Sequence, residues 1–437
     1  MPERVYPVRD RAATPLPLRY AVAVFIGNGL EFYDFMTYAF FAVYIGKTFF
    51  PSGDPMLSLL ASLGTFGVGF ITRPLGALYF GPLADRIGRR PVMVASFTLM
   101  GFGIAGLCLT PSYAQIGVAA PILVLAFRLV QGFALGGEVG PSTAYMVEAA
   151  PPMRRGLYGS MQACTVDISN CIAGIVGLSL SLALSQQQLQ DWGWRVAMGV
   201  GVMIVPFGLW MRARLPESLP AAADSRAAAP VARPAEPFVR SIRTHLRIWV
   251  LGLIVISSLT IGGYTANYMG TYSMTTLHMS STVAFSVVIA TNAVSAVCDV
   301  TGGWLSDRVG RKPATQVTMF LLAISIFPAF WAIGHYRNLT ALYSASILMT
   351  ILFALSSGAI FTVITEQLPA HLRSGGMSTI YAFAVSIFGG TTQFMETWLI
   401  RATGNPLAPA YYWLCAAALG FVAFSMLPES APIRQRS

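Results

Sequence analysis

The stretch that decides the fold is Gly81-Pro-Leu-Ala-Asp-Arg-Ile-Gly-Arg-Arg-Pro91, a short polar loop between two long apolar runs. It recurs in the second half of the chain as Gly303-Trp-Leu-Ser-Asp-Arg-Val-Gly-Arg-Lys-Pro313. A second pair of segments, Glu148 to Arg155 and Glu366 to Arg373, follows the first pair at matching positions. Two repeats in the same order on either side of the midpoint indicate that a structural unit has been duplicated.

The composition places this unit in a membrane. Of the 437 residues, 55% are hydrophobic and only 11% are charged, with a mean hydropathy of +0.62. Soluble chains carry about 25% charged residues, so lipid must cover much of this surface.

The net charge of +10 comes from short basic clusters between apolar runs, which indicates membrane topology and no nucleic-acid partner. The five cysteines lack metal-binding spacing, so we expect neither a metal site nor a disulfide framework.

Apolar runs of about 20 residues, the length needed to cross the hydrocarbon layer, occur twelve times in the chain. The predicted spans are 20–46, 56–83, 92–111, 116–147, 156–184, 194–212, 247–276, 281–305, 314–334, 339–365, 376–401 and 408–427. Most of the 28 Lys and Arg residues lie in the termini and the even-numbered loops. The odd-numbered loops hold only Lys47, Arg195, Arg337 and Arg401. This asymmetry predicts a multi-pass plasma membrane protein (bacterial inner membrane) with both termini in the cytoplasm.

The predicted fold class is an all-α membrane protein with twelve transmembrane helices in two pseudo-symmetric six-helix bundles. A cytoplasmic tail (1–19) precedes the first bundle (20–212). A cytoplasmic linker rich in Ala, Pro and Arg (213–245) joins it to the second bundle (246–428), and a short cytoplasmic tail (429–437) ends the chain.

With these repeats in view, the chain resembles the major facilitator superfamily, whose loop signature is Gly-x-x-x-Asp-Arg-x-Gly-Arg-Arg. Within that superfamily it is similar to the metabolite–proton symporter family, whose members take up citrate, 2-oxoglutarate, shikimate or proline/betaine. The segments that carry this similarity are Gly27-Asn28-Gly-Leu-Glu31-Phe-Tyr33-Asp34-Phe35, Arg73-Pro74-Leu75-Gly76 and Arg128-Leu-Val-Gln131-Gly132. Tyr44 to Pro51, Phe388-Gly-Gly-Thr and Thr403-Gly404 are most similar to the citrate and tricarballylate proton symporters.

The resemblance implies a secondary transporter and not an enzyme. It implies uptake of a small organic acid, citrate-like as first choice, together with protons, by alternating access. The proton gradient would drive this uptake without a cofactor, and sodium coupling stays open. We expect the protein to act as a monomer in the lipid bilayer.

Charged residues inside the spans are the candidates for proton coupling, because a charge in hydrocarbon is costly and is retained mainly for function. Six acids lie there, against only two arginines, Arg73 and Arg128; the acids are Glu31, Asp34, Glu138, Asp167, Asp299 and Glu396. A buried carboxyl group with no cationic partner favours its protonated form. We predict proton-coupling roles for Glu31, Asp34 and Glu138. For Asp167, Asp299 and Glu396, cation binding, substrate contact and pairing with hydroxyl groups all stay open.

Polar residues on the faces of several spans are the candidates for substrate contact. Asn28, Glu31 and Asp34 recur at every third position and share a helical face. Arg128 could bind a substrate carboxylate or neutralise Glu31 or Asp34, and both alternatives stay open. The predicted substrate-binding residues are Asn28, Tyr38, Arg128, Gln131, Tyr264, Tyr268, Tyr272, Thr392 and Gln393.

Two of these predictions carry a qualification, and Arg73 has a separate interpretation. The tyrosine stripe of the seventh span suits a polar cavity wall or plain packing equally well. Gln393 departs from the family, whose members tend to have a proline there, and this puts the identity of the substrate in doubt. Arg73 lies low in the second span and is interpreted as a structural or gating residue.

The repeated loop is interpreted as a gate that latches the two halves on the cytoplasmic side. Salt bridges and contacts at helix ends would close it. The predicted gate residues are Gly81, Asp85, Arg86, Gly88, Arg89, Asp307, Arg308, Gly310 and Arg311.

Other transport classes and one class of non-transporter remain as alternatives. Proton- or sodium-coupled uptake of a zwitterion such as betaine or proline, or of another mono- or dicarboxylate, would use the same architecture. Drug efflux is disfavoured because the fifth span has no proline, whereas exporters of this superfamily typically have a Gly-Pro motif there. A non-transporting sensor is a remote alternative, since such proteins usually add a large soluble domain.

Overall fold

The computed structural model describes residues 29, 32–87, 89–136, 150–213, 246–368 and 373–435. Within these ranges the regular secondary structure is helical, and no strand occurs. The predicted tail 1–19 and the linker from residue 214 onward lie outside the described residues, so these boundaries stay predictions.

Twelve helices in the described ranges follow the twelve predicted spans. In the first half, α1 comprises 32–40 and Ala42–Phe49, α2 comprises Pro55–Ile71 and Arg73–Ile87, α3 is Arg89–Leu109, α4 is Ala119–Leu135, α5 is Arg155–Ala183 and α6 is Trp194–Ala213. In the second half, α7 is Leu246–Thr275, α8 is Ser281–Val309, α9 is Arg311–Tyr336, α10 is Leu339–Gln367 and α12 is Ala408–Ser425. Helix α11 runs as Arg373–Ala384, a π-helical turn Val385–Gly389 and Gly390–Thr403. The predicted fold class is confirmed.

Seven helical stretches in the described part of the chain are long and apolar enough to cross a membrane, judged by length and composition. They are Pro55–Phe80, Arg155–Ala183, Leu246–Thr275, Ser281–Val309, Arg311–Tyr336, Leu339–Gln367 and Ala408–Ser425. Val94–Leu109 and Ala119–Leu135 are shorter apolar helices. Large apolar side chains such as Leu78, Met203 and Val297 are exposed on the outside, as expected for a surface that faces lipid.

Local signals in the sequence set several helix ends. The Asp54 carboxylate accepts the Met56 N–H at 2.9 Å and caps α2, and Asn338 caps α10 through the Ala341 N–H at 2.8 Å. Between α8 and α9 the chain turns at Gly310, whose φ is 117°. Only glycine adopts this conformation without strain, which gives a backbone reason for the glycine of the repeated motif.

The two halves pack against each other along α5 with α8 and α2 with α11, and the α5–α8 contact is the most extensive between helices in the described residues. Small residues allow the backbones to approach closely. A Cβ atom at Gly303 would collide with the Gly156 carbonyl oxygen and the Ser160 side chain. A Cβ atom at Gly390 would lie 2.7 Å from the Gly67 carbonyl oxygen.

The halves touch at both ends of the molecule. At the end that carries Arg155 and Gly310, here called the motif side, Thr362 Oγ1 donates to the Arg155 carbonyl at 3.2 Å. At the opposite side, Arg401 pairs with Asp54 at 2.8 Å. Each half therefore contacts the other on both sides of the helical core.

Substitution of Gly303 should open the motif side. A Gly303→Val side chain overpacks the α5–α8 contact, at a cost of about 1–3 kcal/mol. We expect a Thr362→Cys reporter, placed at a fully buried position in a cysteine-free background, to react with maleimide about fivefold faster or more.

Gly199→Val is the matched control, because a Cβ atom at Gly199 would meet nothing within 4 Å. It should leave the labelling rate of the reporter unchanged. Equal labelling in Gly303→Val and Gly199→Val would contradict the role of Gly303 in this contact.

Candidate functional site

An ion pair lies at the centre of the first half, between Asp34 on α1 and Arg128 on α4. Arg128 Nη1 is 3.6 Å from Asp34 Oδ2, and both side chains are almost completely buried, 0% and 1% exposed. Arg128 Nη1 also donates to Gln131 Oε1 at 2.7 Å. The guanidinium lies over the Tyr38 ring, 3.7 Å from its centroid. In this structure Arg128 neutralises Asp34, one of the two alternatives left open by the sequence.

Four predicted residues, Asp34, Tyr38, Arg128 and Gln131, are thus brought together. Within the described residues, neither oxygen of Asp34 accepts a hydrogen bond. The carboxylate is therefore held by charge attraction alone, which leaves an oxygen available to a proton. Asn28, Glu31 and Glu138 lie outside the described residues, so their predicted roles stay predictions.

The second arginine, Arg73 on α2, has different surroundings. Its guanidinium lies over the rings of Phe70 and Phe35, 4.3 and 4.7 Å from their centroids. Tyr264 on α7 and Tyr381 on α11 are within electrostatic reach. Among the described residues no carboxylate lies within 4.0 Å of Arg73, although its side chain is only 7% exposed.

The three predicted tyrosines of α7 do not share one environment. Tyr264 lies against Phe70 of the first half, with ring centroids 6.0 Å apart. The Tyr268 hydroxyl is 2.8 Å from Thr397 Oγ1, and the Tyr272 hydroxyl donates to the Pro406 carbonyl at 2.9 Å. Tyr264 therefore reaches the boundary between the halves, whereas Tyr268 and Tyr272 hold the second half together.

A buried carboxyl group of the second half, Glu396 on α11, lies one turn beyond the predicted residues Thr392 and Gln393. Thr265 Oγ1 donates to Glu396 Oε1 at 2.5 Å, and Oε2 has no partner among the described residues. The Thr392 hydroxyl donates to the Phe388 carbonyl of its own helix at 2.6 Å. Gln393 is buried and its Oε1 is unpartnered within the described part of the chain.

A second unassigned group is the pair Asp167 on α5 and Asp299 on α8, which joins the two halves. Their carboxyl groups are within hydrogen-bonding distance of each other, and Asp299 is 1% exposed. The Ser357 hydroxyl donates to Asp299, and Ser295 lies next to Asp167. The sequence left several roles open for Asp299 and Glu396. In the structure, both residues pair with hydroxyl groups. A hydrogen bond between two carboxyl groups requires that one of them carries a proton.

The second copy of the repeated loop forms a network between the halves. The Asp307 carboxylate accepts the N–H groups of Gly156 and Leu157, both at 2.9 Å, across the α5–α8 contact. Arg311 binds Asp307 at 2.5 Å and Glu366 at 3.3 Å. Arg308 lies instead over the Trp304 ring, 4.2 Å away.

Further residues of this network were not predicted from the sequence. Glu366 binds Arg311, and Glu429 accepts the backbone N–H groups of Arg311 and Lys312 at 3.1 and 2.9 Å. Glu366 opens the second repeated segment, a signal that could have identified it. Nothing in the sequence marks Glu429. In the first copy of the loop, Gly81 lies within α2, whereas Gly88 and the side chains of Asp85, Arg86 and Arg89 lie outside what the structure describes.

A groove of about 620 Å³ between α5 and α8 is lined mainly by apolar residues, including Ile168, Ile172 and Val297. These side chains are exposed on the outer surface. The groove therefore faces lipid and does not belong to the site around Asp34 and Arg128.

Variants of Asp299 test the carboxyl pair. Asp299→Asn keeps the shape and can still donate to Asp167, so we expect a change in stability of less than about 1 kcal/mol. Asp299→Leu removes the polar group that Asp167 and Ser357 face on α8, at a cost of about 1–3 kcal/mol. Thermal unfolding of both purified variants measures the difference, and equal losses would contradict a shared proton.

Comparison with known proteins gives consistent matches. The family model described as the Major Facilitator Superfamily matches residues 24–392. A citrate-proton symporter of Salmonella typhi is 33% identical over 402 residues, which cover 92% of each chain. A proline/betaine transporter of Escherichia coli (strain K12) is 30% identical over 455 residues, 98% of this chain and 88% of that protein.

Among solved structures, the xylose transporter of E. coli in a partially occluded inward open conformation is similar with a TM-score of 0.75. The sequence identity is 17%, and the match covers 94% of this chain and 98% of that one. At this identity the likeness shows the fold alone.

Proposed function

The chain belongs to the Major Facilitator Superfamily, and on this premise we propose that it takes up a small organic acid together with protons. That it is a multi-pass membrane transporter and not an enzyme follows from the family and its relatives. The proton coupling, the class of substrate and the residues involved are the proposal.

The observation that carries the proposal is the buried pair of Asp34 and Arg128. In low dielectric the two charges attract strongly, and a proton on Asp34 would remove this attraction. Arg128 would then hold an uncompensated positive charge next to Phe35, whose ring is 5.5 Å away. An organic anion would be attracted to this charge, so proton and anion would each favour the binding of the other.

A small organic acid, citrate-like as first choice, is the substrate class that we propose. The similarity to a citrate-proton symporter over 92% of the chain supports this choice. Two buried arginines in the first half are also suited to an anion. The similarity to a proline/betaine transporter supports the alternative of a zwitterion, whose carboxylate would use the same arginines.

We further propose that the protein resides in the bacterial inner membrane with the motif side in the cytoplasm. The basic residues concentrated in the even-numbered loops support this orientation. Asp307, Arg311 and Glu366 would then close the inner gate through their contacts with α5.

Proton movement in proteoliposomes tests the function. When citrate is added outside vesicles that contain the protein and a pH indicator, we expect the lumen to acidify as protons enter with the anion. Protein-free vesicles and vesicles given betaine are the comparisons. Acidification with betaine but not with citrate or other carboxylates would replace the proposed substrate by a zwitterion, and no acidification with any of them would contradict proton symport.

A variant of Asp34 tests the proton site. Asp34→Asn cannot exchange a proton, and we expect it to lose citrate accumulation driven by a pH gradient, so that internal citrate no longer exceeds external citrate. Exchange of internal for external citrate, which needs no net proton movement, should persist. Accumulation by Asp34→Asn at the wild-type level would exclude Asp34 from coupling.

A further inference from the structure

We propose that Arg73, together with the hydroxyl groups of Tyr264 and Tyr381, binds a carboxylate group of the substrate at the boundary between the two halves. This inference rests on the proposed function and names the residues that hold the anion. It also revises the interpretation of Arg73 as a structural or gating residue.

The first reason is charge. A buried arginine is stable only if a counter-charge or hydrogen-bond acceptors compensate for the water it has lost. Arg128 has Asp34 and Gln131. Arg73 has neither a carboxylate within ion-pair distance nor a partner for its buried Nε within the described residues. We therefore expect a bound anion from solution to supply the missing counter-charge.

The second reason is geometry. The Phe70 and Phe35 rings cover Arg73 at 4.3 and 4.7 Å, and stacking on an aromatic face uses the flat side of the guanidinium. The N–H groups lie at the edge of the guanidinium plane and stay available. A guanidinium edge binds a carboxylate through two parallel hydrogen bonds, so the stacked orientation is suited to this ligand.

The third reason is the pair of tyrosines that faces Arg73 from the second half. Tyr268 and Tyr272 use their hydroxyl groups within their own half. For Tyr264 and Tyr381, no hydrogen bond of the hydroxyl group is found in the described part of the chain. Both lie within electrostatic range of Arg73. A carboxylate between them would accept from the arginine of one half and the hydroxyl groups of the other.

This placement couples binding to the contact between the halves. Arg73 belongs to α2, whereas Tyr264 and Tyr381 belong to α7 and α11. An anion bound by all three would hold the halves together, and it would not reach all three once they separate. Phe35 contacts both Arg73 and Arg128, so the anion site lies beside the proposed proton site.

Binding of citrate to the purified full-length protein, measured by isothermal titration calorimetry at fixed pH, tests the proposal. We expect Arg73→Gln to raise the Kd at least ~30-fold, because it removes a charged partner. Arg73→Lys keeps the charge without the two parallel bonds and should raise it ~5- to 10-fold. Tyr264→Phe and Tyr381→Phe remove one hydroxyl group each and should each raise it ~3- to 20-fold.

Arg195→Gln is the matched control for loss of a partly buried arginine. Arg195 Nη1 donates to the Cys108 carbonyl at 2.5 Å, and its guanidinium lies over Trp194, so these contacts are with α3 and α6. The Kd of this variant should stay within ~2-fold of the wild type. The two phenylalanine variants keep the shape of the site, so they remain informative if Arg73→Gln does not fold.

The outcomes separate this proposal from the proposed function. Unchanged Kd values in Arg73→Gln or Arg73→Lys and in both phenylalanine variants, with citrate-driven proton uptake intact, would overturn the role of Arg73 alone. Binding that depends on Arg73, without proton movement in vesicles, would support the site and contradict symport. A wild-type protein that binds neither citrate nor succinate would overturn both.

Discussion

The interaction on which the rest of the structure depends is the buried ion pair of Asp34 and Arg128. It neutralises one of the two arginines inside the first half and leaves Arg73, beside the same Phe35 ring, without a counter-charge among the described residues. Because both arginines contact Phe35, the protonation state of Asp34 sets the positive charge that an anion meets at this site. Glu396 and Asp299 in the second half differ from Asp34, because their carboxyl groups accept hydrogen bonds from hydroxyl groups.

The architecture could be predicted from the sequence because it rests on signals along the chain. Runs of apolar residues predicted the helical spans, and the repeated loop predicted the two halves. The glycine of that loop stands where φ is 117°, and Asp307 contacts the backbone of α5. The closeness of Asp34, Tyr38, Arg128 and Gln131 was also expected, since these polar residues are isolated in apolar helices.

Other parts of the site could not be predicted because they depend on how helices rotate and pack. The regular spacing of Tyr264, Tyr268 and Tyr272 suggested one shared face, yet a helix as long as α7 meets different neighbours along its length. The Tyr264 ring lies against Phe70 of the first half, whereas the hydroxyl groups of Tyr268 and Tyr272 bind partners within the second half. The partners of Arg73 are distant in sequence, on α7 and α11. The Asp167–Asp299 pair likewise forms only when α5 packs on α8.

The central claim is that a proton on Asp34 and a carboxylate at the neighbouring arginines bind cooperatively. Its most direct test is the number of protons taken up from weakly buffered solution when purified protein binds citrate, followed with a pH indicator. We expect the wild-type protein to take up protons when citrate binds. Asp34→Asn should take up fewer protons, because the share bound by the Asp34 carboxyl group is missing. Equal proton uptake by the wild type and Asp34→Asn would contradict the account.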